Sequence, residues 1–84
     1  MDDGVIAEAI LTLCLERGVG KTICPSEAAR RLAGDHGDWR ALMPRVRALA
    51  GQLQKDGRIA VTQKGVAVEA DTAKGAIRLG LPKV

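Results

Sequence analysis

Residues 58–68 read RIAVTQKGVAV, and this stretch decides the fold. Polar and apolar residues alternate over residues 58–63, which is typical of a strand with one face on a core. A Lys-Gly pair at residues 64–65 is a turn signal, and a short second strand over residues 66–68 can follow it. Alternation returns over residues 77–81. The sequence therefore predicts a β-hairpin wing at the C-terminal end.

Three helical segments precede this hairpin. Apolar residues three or four apart predict a first helix over residues 2–18, and a second helix opens at a Cys-Pro pair and spans residues 24–34. Pro44 would cost about 3 kcal/mol inside a continuous helix. We therefore expect a short turn over residues 39–43 and the main third helix over residues 44–56.

Helix, helix, helix and hairpin, in this order, predict one α+β domain of winged-helix type over residues 1–84. Trp39 is the single aromatic residue, so the core must be built from aliphatic side chains. One ring cannot form the stacking platform that usually holds single-stranded nucleic acid. We expect Trp39 to cover the third helix rather than to stack on a ligand.

Charge is divided unevenly along the chain. Residues 1–39 carry four basic and seven acidic side chains, net −3, whereas residues 40–84 carry nine basic and three acidic side chains, net +6. A basic second half favours an anionic partner, and for a winged helix the first hypothesis is double-stranded DNA. The alternative is a basic surface that only keeps the protein in solution.

The candidate DNA contacts lie on the third helix and on the wing. Arg and Gln side chains read base edges or grip phosphates, and the small Gly51 would let the helix backbone approach a groove. The eight candidates are Arg40, Arg45, Arg47, Gln52, Lys55, Lys64, Lys74 and Arg78.

A second function, of a different class, is a protein-interaction module that binds no nucleic acid. Leu11 and Leu15 border the polar stripe of the first helix rather than its core face. The C-terminal strand can cover them, or they can form the seam of a homodimer or bind another protein partner. Fold alone does not decide between these functions.

Enzyme activity is not expected, and neither is a cofactor or a metal. His36 is the single histidine, which excludes a site built from several histidines. Cys24, near a helix start, is either a reactive thiol or a small apolar residue. With an acidic N-terminus and no long apolar stretch, we expect a cytoplasmic protein with no membrane contact, in which Cys14 and Cys24 are free thiols.

The sequence contains the blocks GKTICPSE at residues 20–27, WR at 39–40, LM at 42–43, VR at 46–47, VTQKG at 61–65 and KGAIRL at 74–79. In this order the blocks resemble a family of small bacterial winged-helix proteins of unknown function. The resemblance covers about residues 5–81 and implies the winged-helix fold, but it implies no activity and transfers no functional residue. Ala76 stands where such sequences have Pro, which affects only the local turn.

Overall fold

The computed structural model describes residues 2–82, which form three helices and a four-stranded antiparallel sheet. The α+β class predicted from the sequence is confirmed, and the arrangement is compatible with a winged helix. Within these residues, no helix is both long enough and apolar enough to cross a membrane. In chain order the elements are α1 (Asp3–Arg17), β1 (Thr22–Ile23), α2 (Pro25–Ala33), α3 (Trp39–Lys55), β2 (Ala60–Gln63), β3 (Val66–Ala67) and β4 (Arg78–Gly80).

Helix α1 begins and ends where the sequence predicts. Asp2 caps its N-terminus, because its carboxylate accepts a hydrogen bond from the Gly4 amide at 2.8 Å. Leu11 is half-buried against the core, but Leu15 remains 66% exposed. Of the two alternatives for these leucines, burial therefore applies to Leu11 but not to Leu15.

Helix α3 runs without a break through Pro44, so the predicted turn over residues 39–43 is wrong. Residues on both sides of Pro44 pack on the core, with Met43 half-buried and Val46 fully buried. Pro44 itself is exposed, so water can solvate the Arg40 carbonyl that loses its helical hydrogen bond. Burial of the apolar face thus outweighs the cost of the proline.

The strands form one sheet in the order β1-β4-β2-β3, and β1 is a strand that the sequence did not predict. The predicted hairpin is present. Gln63 pairs with Val66, and both turn residues between them have positive φ, 51° at Lys64 and 79° at Gly65. Such a two-residue turn matches the natural twist of antiparallel strands. The sheet therefore joins the wing to the segment between α1 and α2.

The core is aliphatic, as the composition requires. Three residues that pair across the sheet face the helices and are buried, namely Ile23, Leu79 and Val61. The adjacent row of paired residues consists of Thr22, Gly80 and Ala60. Val46 and Leu53 supply the centre of α3's apolar face, with Leu42 and Leu49 half-buried beside them. Trp39 is half-buried against this core, in agreement with its predicted covering role.

Candidate nucleic-acid interface

Residues 68–76, here called the crossing segment, lie across one side of helix α3. The Gln54 side-chain amide donates to the Val68 carbonyl at 2.6 Å and accepts from the Ala70 amide at 3.0 Å. Arg47 donates to the Ala73 and Gly75 carbonyls, both at 2.9 Å. Side chains of α3 thus satisfy the backbone of a segment that has little secondary structure of its own.

Gly51 lies where the crossing segment approaches α3 most closely. It is buried, and a Cβ atom at this position would lie 2.3 Å from the Asp71 carboxylate. The same carboxylate forms an ion pair with Lys55 at 2.8 Å and raises the pKa of that lysine. The expectation that Gly51 opens the helix to a DNA groove is wrong, because the crossing segment occupies this space.

The other predicted residues of α3 lie in different surroundings. Arg45 is exposed and forms an ion pair with Asp3 of α1. Arg40 lies over the ring of Trp39, with 4.5 Å between its guanidinium carbon and the ring centroid. Gln52 is exposed. The predicted residues of α3 therefore do not form one open recognition face.

The crossing segment also contacts the wing. Gln63 donates to the Lys74 carbonyl at 2.5 Å and to the Ala76 carbonyl at 3.1 Å, which fixes the end of the crossing segment beside β2. Lys64 follows Gln63 in the exposed turn, and Lys74 is exposed as well. Arg78, paired with Thr62 in the sheet, donates to the hydroxyl and the carbonyl of Thr22 at 3.0 Å.

Four of the eight predicted residues lie on segments that contact one another in turn, and we call them the basic stripe. The connection runs from α3 through residues 73–76 to strands β2 and β4. Within residues 2–82, none of the four forms an ion pair with a carboxylate. The basic stripe consists of Arg47, Lys64, Lys74 and Arg78.

A groove of about 580 Å³ runs beside the stripe, between the start of α2, helix α3 and residues 73–77. Cys24, Arg47 and Lys74 are among its lining residues. Cys24 is a half-buried free thiol whose amide donates to the Glu27 carboxylate at 2.7 Å, so Cys24 is the N-cap of α2. With two cations on its wall, the groove suits an anionic group.

The sequence missed one cationic feature, which joins α2 to α3. Arg30 lies over the Trp39 ring at 4.5 Å, the same distance as Arg40. Each such contact contributes about 0.5–1 kcal/mol at an exposed site. Because Arg30 belongs to α2 and Trp39 to α3, no pattern within one helix could have predicted that they pack together. We call Arg30, Trp39 and Arg40 the arginine–tryptophan stack.

An apolar cleft of about 500 Å³ lies against strand β2. Its walls come from residues 19–22, strand β2, the turn after it and Leu81. Val19, on its rim, is 79% exposed. Leu15, four residues earlier in the chain, is also exposed, so apolar surface is concentrated at the end of α1.

One family model matches almost all of the described residues. Residues 3–82 match the sequence profile of DUF3253, a family of proteins of unknown function. The chain belongs to this family. No characterised protein matches the chain significantly. Membership in DUF3253 thus covers nearly the whole domain and assigns it no activity, so the function has to be argued from the surfaces of the domain.

Proposed function

We propose that this DUF3253 protein binds double-stranded DNA through the basic stripe. The observation that carries the proposal is the pair of anchors at residues 73–76, where Arg47 binds two carbonyls and Gln63 binds two more. These anchors hold the backbone of residues 73–76 between α3 and β2, so the segment that carries Lys74 is linked to both α3 and the wing. A backbone fixed in this way loses little further freedom when the cations that it carries bind phosphates.

The proposed contacts are mainly to the phosphate backbone. Arg47 uses its guanidinium group to bind carbonyls, and the crossing segment covers the neighbouring surface of α3 at Gly51. A helix covered in this way is poorly suited to insert into a major groove and read base edges. We therefore expect binding that depends strongly on salt and weakly on sequence. The proposed activity is binding and includes no chemical step.

Salt-dependent binding of a labelled DNA duplex, followed by fluorescence anisotropy, tests this proposal. The logarithm of affinity should fall linearly with the logarithm of salt concentration, with a slope of about −0.9 for each phosphate contact. Lys74→Ala keeps the carbonyl that Gln63 binds and removes only the charge, so it should reduce the steepness by about 1.

The matched control is Arg58→Ala, which removes an exposed positive charge at the opposite end of β2 from Lys64. This variant should bind DNA as the unchanged protein does. Absence of binding at the lowest salt concentration, or an equal loss in the Arg58 variant, would contradict a role for the stripe.

A second candidate function is binding of a protein, and the exposed apolar surface at the end of α1 favours it. Leu15 and Val19 are 66% and 79% exposed, and Val19 borders the apolar cleft. Since Leu11 packs on the core, this seam would consist of Leu15 and Val19 instead of the predicted Leu11 and Leu15. Molar mass measured by light scattering tests self-association, which Val19→Asp should abolish if the seam forms.

A further inference from the structure

The arginine–tryptophan stack concentrates positive charge at the junction of α2 and α3. Both guanidinium carbons lie 4.5 Å from the same ring centroid, so they can be at most about 9 Å apart. This separation is within the Debye length of about 10 Å at 0.1 M salt, so the two charges reinforce each other's field. The ring restricts both side chains without neutralising them.

Carboxylates do not neutralise the stack in the part of the chain that the structure describes. Arg17, Arg31 and Arg45 form ion pairs with Glu27, Glu16 and Asp3, but neither Arg30 nor Arg40 forms one within residues 2–82. The adjacent Asp38 accepts a hydrogen bond from the Ala41 amide as the cap of α3. The stack thus combines two oriented cations with exposed surface.

Arg40 of the stack lies on the same face of α3 as Arg47, the member of the basic stripe that belongs to this helix. Arg40 and Arg47 are seven residues apart, which is two helical turns and about 10 Å along the axis. Pro44, between them on this face, is exposed and uncharged. A single DNA strand that contacts the stripe can therefore extend along α3 to the stack.

We propose that the arginine–tryptophan stack is a second phosphate-binding site, at which Arg30 and Arg40 hold the backbone of the same duplex. This inference rests on the proposed function and extends its contact surface from the wing to α2. The partner group is a phosphate rather than an unpaired base, because the two arginines occupy the space over the ring where a base would stack.

Trp39 provides the readout, since it is the only Trp in a chain without Tyr or Phe. Duplex DNA that contacts Arg30 and Arg40 should change the fluorescence emission of Trp39. This change should saturate at the same DNA-to-protein ratio as the anisotropy of the labelled duplex. Arg30→Gln should weaken binding about eightfold at 0.1 M salt. This factor follows from the loss of one phosphate contact, which at a slope of about −0.9 changes the affinity about eightfold between 0.1 M and 1 M salt. The salt slope should also become shallower by about 1.

Arg31→Gln is the matched control, because it removes the same charge one residue along α2. The Arg31 guanidinium is already paired with Glu16, at 3.0 Å, and does not belong to the stack. Its variant should keep the affinity, the salt slope and the Trp39 response of the unchanged protein. Circular dichroism on each variant confirms that the helices are retained.

Three results would overturn the inference while leaving the proposed function in place. The first is duplex binding that leaves Trp39 emission unchanged and that Arg30→Gln does not weaken. The second is an equal loss of affinity in the Arg30 and Arg31 variants. The third is tighter binding of single-stranded DNA than of the duplex at the stack. Absence of duplex binding by the unchanged protein at low salt would instead overturn both proposals. The two failures are thus distinguishable.

Discussion

Gly51 is the residue on which the close contact between α3 and the crossing segment depends most directly. In an ordinary helix, replacing an internal Gly by Ala stabilises by about 1 kcal/mol. Here the three atoms nearest to a Cβ added at residue 51 would all belong to the carboxyl group of Asp71, the closest at 2.3 Å. The gain in helix propensity and the steric conflict with Asp71 therefore oppose each other.

We predict that the effect of Gly51→Ala depends on residue 71. In the Asp71→Ala background the conflict is removed, so Gly51→Ala should stabilise by about 1 kcal/mol through helix propensity alone. With Asp71 present, the added methyl displaces the carboxylate from Lys55, and the gain should disappear. Urea unfolding of the four proteins measures this coupling. Equal effects of Gly51→Ala in both backgrounds would show that the two residues do not interact.

The two cysteines should differ in reactivity. Cys14 is fully buried in the core, and burial raises the pKa of its thiol above the ordinary value of 9.0. The neutral thiol is therefore favoured in the folded state, so stability is retained below about pH 9 and is lost as the pH rises further. In the native protein a thiol reagent should modify Cys24 alone, and it should modify Cys14 only after urea is added. Rapid reaction of both thiols would contradict this assignment.

Helix α3 carries a cost at Pro44 that its packing offsets. We predict that Pro44→Ala stabilises the protein by about 1–3 kcal/mol, because it restores an amide donor for the Arg40 carbonyl in the helix interior. Thermal unfolding measures the gain. Pro25→Ala is the control: Pro25 stands at the first position of α2, where an amide would have no helical partner, so no gain is expected there. A lower melting temperature for Pro44→Ala would contradict the prediction.

The elements that the sequence predicts correctly are those with strong local signals. Asp2 and Gly18 mark the ends of α1, and the Lys-Gly turn at residues 64–65 marks the hairpin. Strand β1 has only two residues, Thr22–Ile23, and it exists because β4 pairs with it from the far end of the chain. The turn predicted before Pro44 was wrong for a similar reason, because the tertiary burial of α3 outweighs the local cost of the proline. Local patterns cannot report either effect.

The candidate interface was only partly predictable, because it depends on how distant segments meet. The charge division indicates a basic second half, and four of its residues lie on segments that contact one another in turn. However, helical periodicity could not show that residues 68–76 would cross α3 and cover Gly51. It also could not show that Arg45 and Lys55 would find carboxylates from α1 and from the crossing segment. Partners that are distant in the chain leave no periodic signal.

Ion pairs between α1 and α2 make the stability of the whole domain depend on pH. The Cys24 amide, and then the Arg17 guanidinium, hold the pKa of Glu27 below its ordinary value of 4.5. The hydrogen bonds from Arg31 lower the pKa of Glu16 in the same way. A carboxyl group whose pKa is lowered in the folded state stabilises the fold at pH values above the ordinary pKa of that group. This stabilisation is lost as the pH falls through the lowered pKa.

We therefore predict that the free energy of unfolding declines as the pH is lowered from about 5 toward 3. Glu27→Gln should lower it by about 0.5–1.5 kcal/mol at pH 7, because a neutral amide accepts a weaker hydrogen bond than a carboxylate. The same variant should flatten the acid limb, since residue 27 no longer titrates. Glu8→Gln, an exposed change elsewhere on α1, should keep the limb as steep as before. If urea unfolding gave both variants the same pH profile, the contacts between α1 and α2 would not be the source of the acid sensitivity.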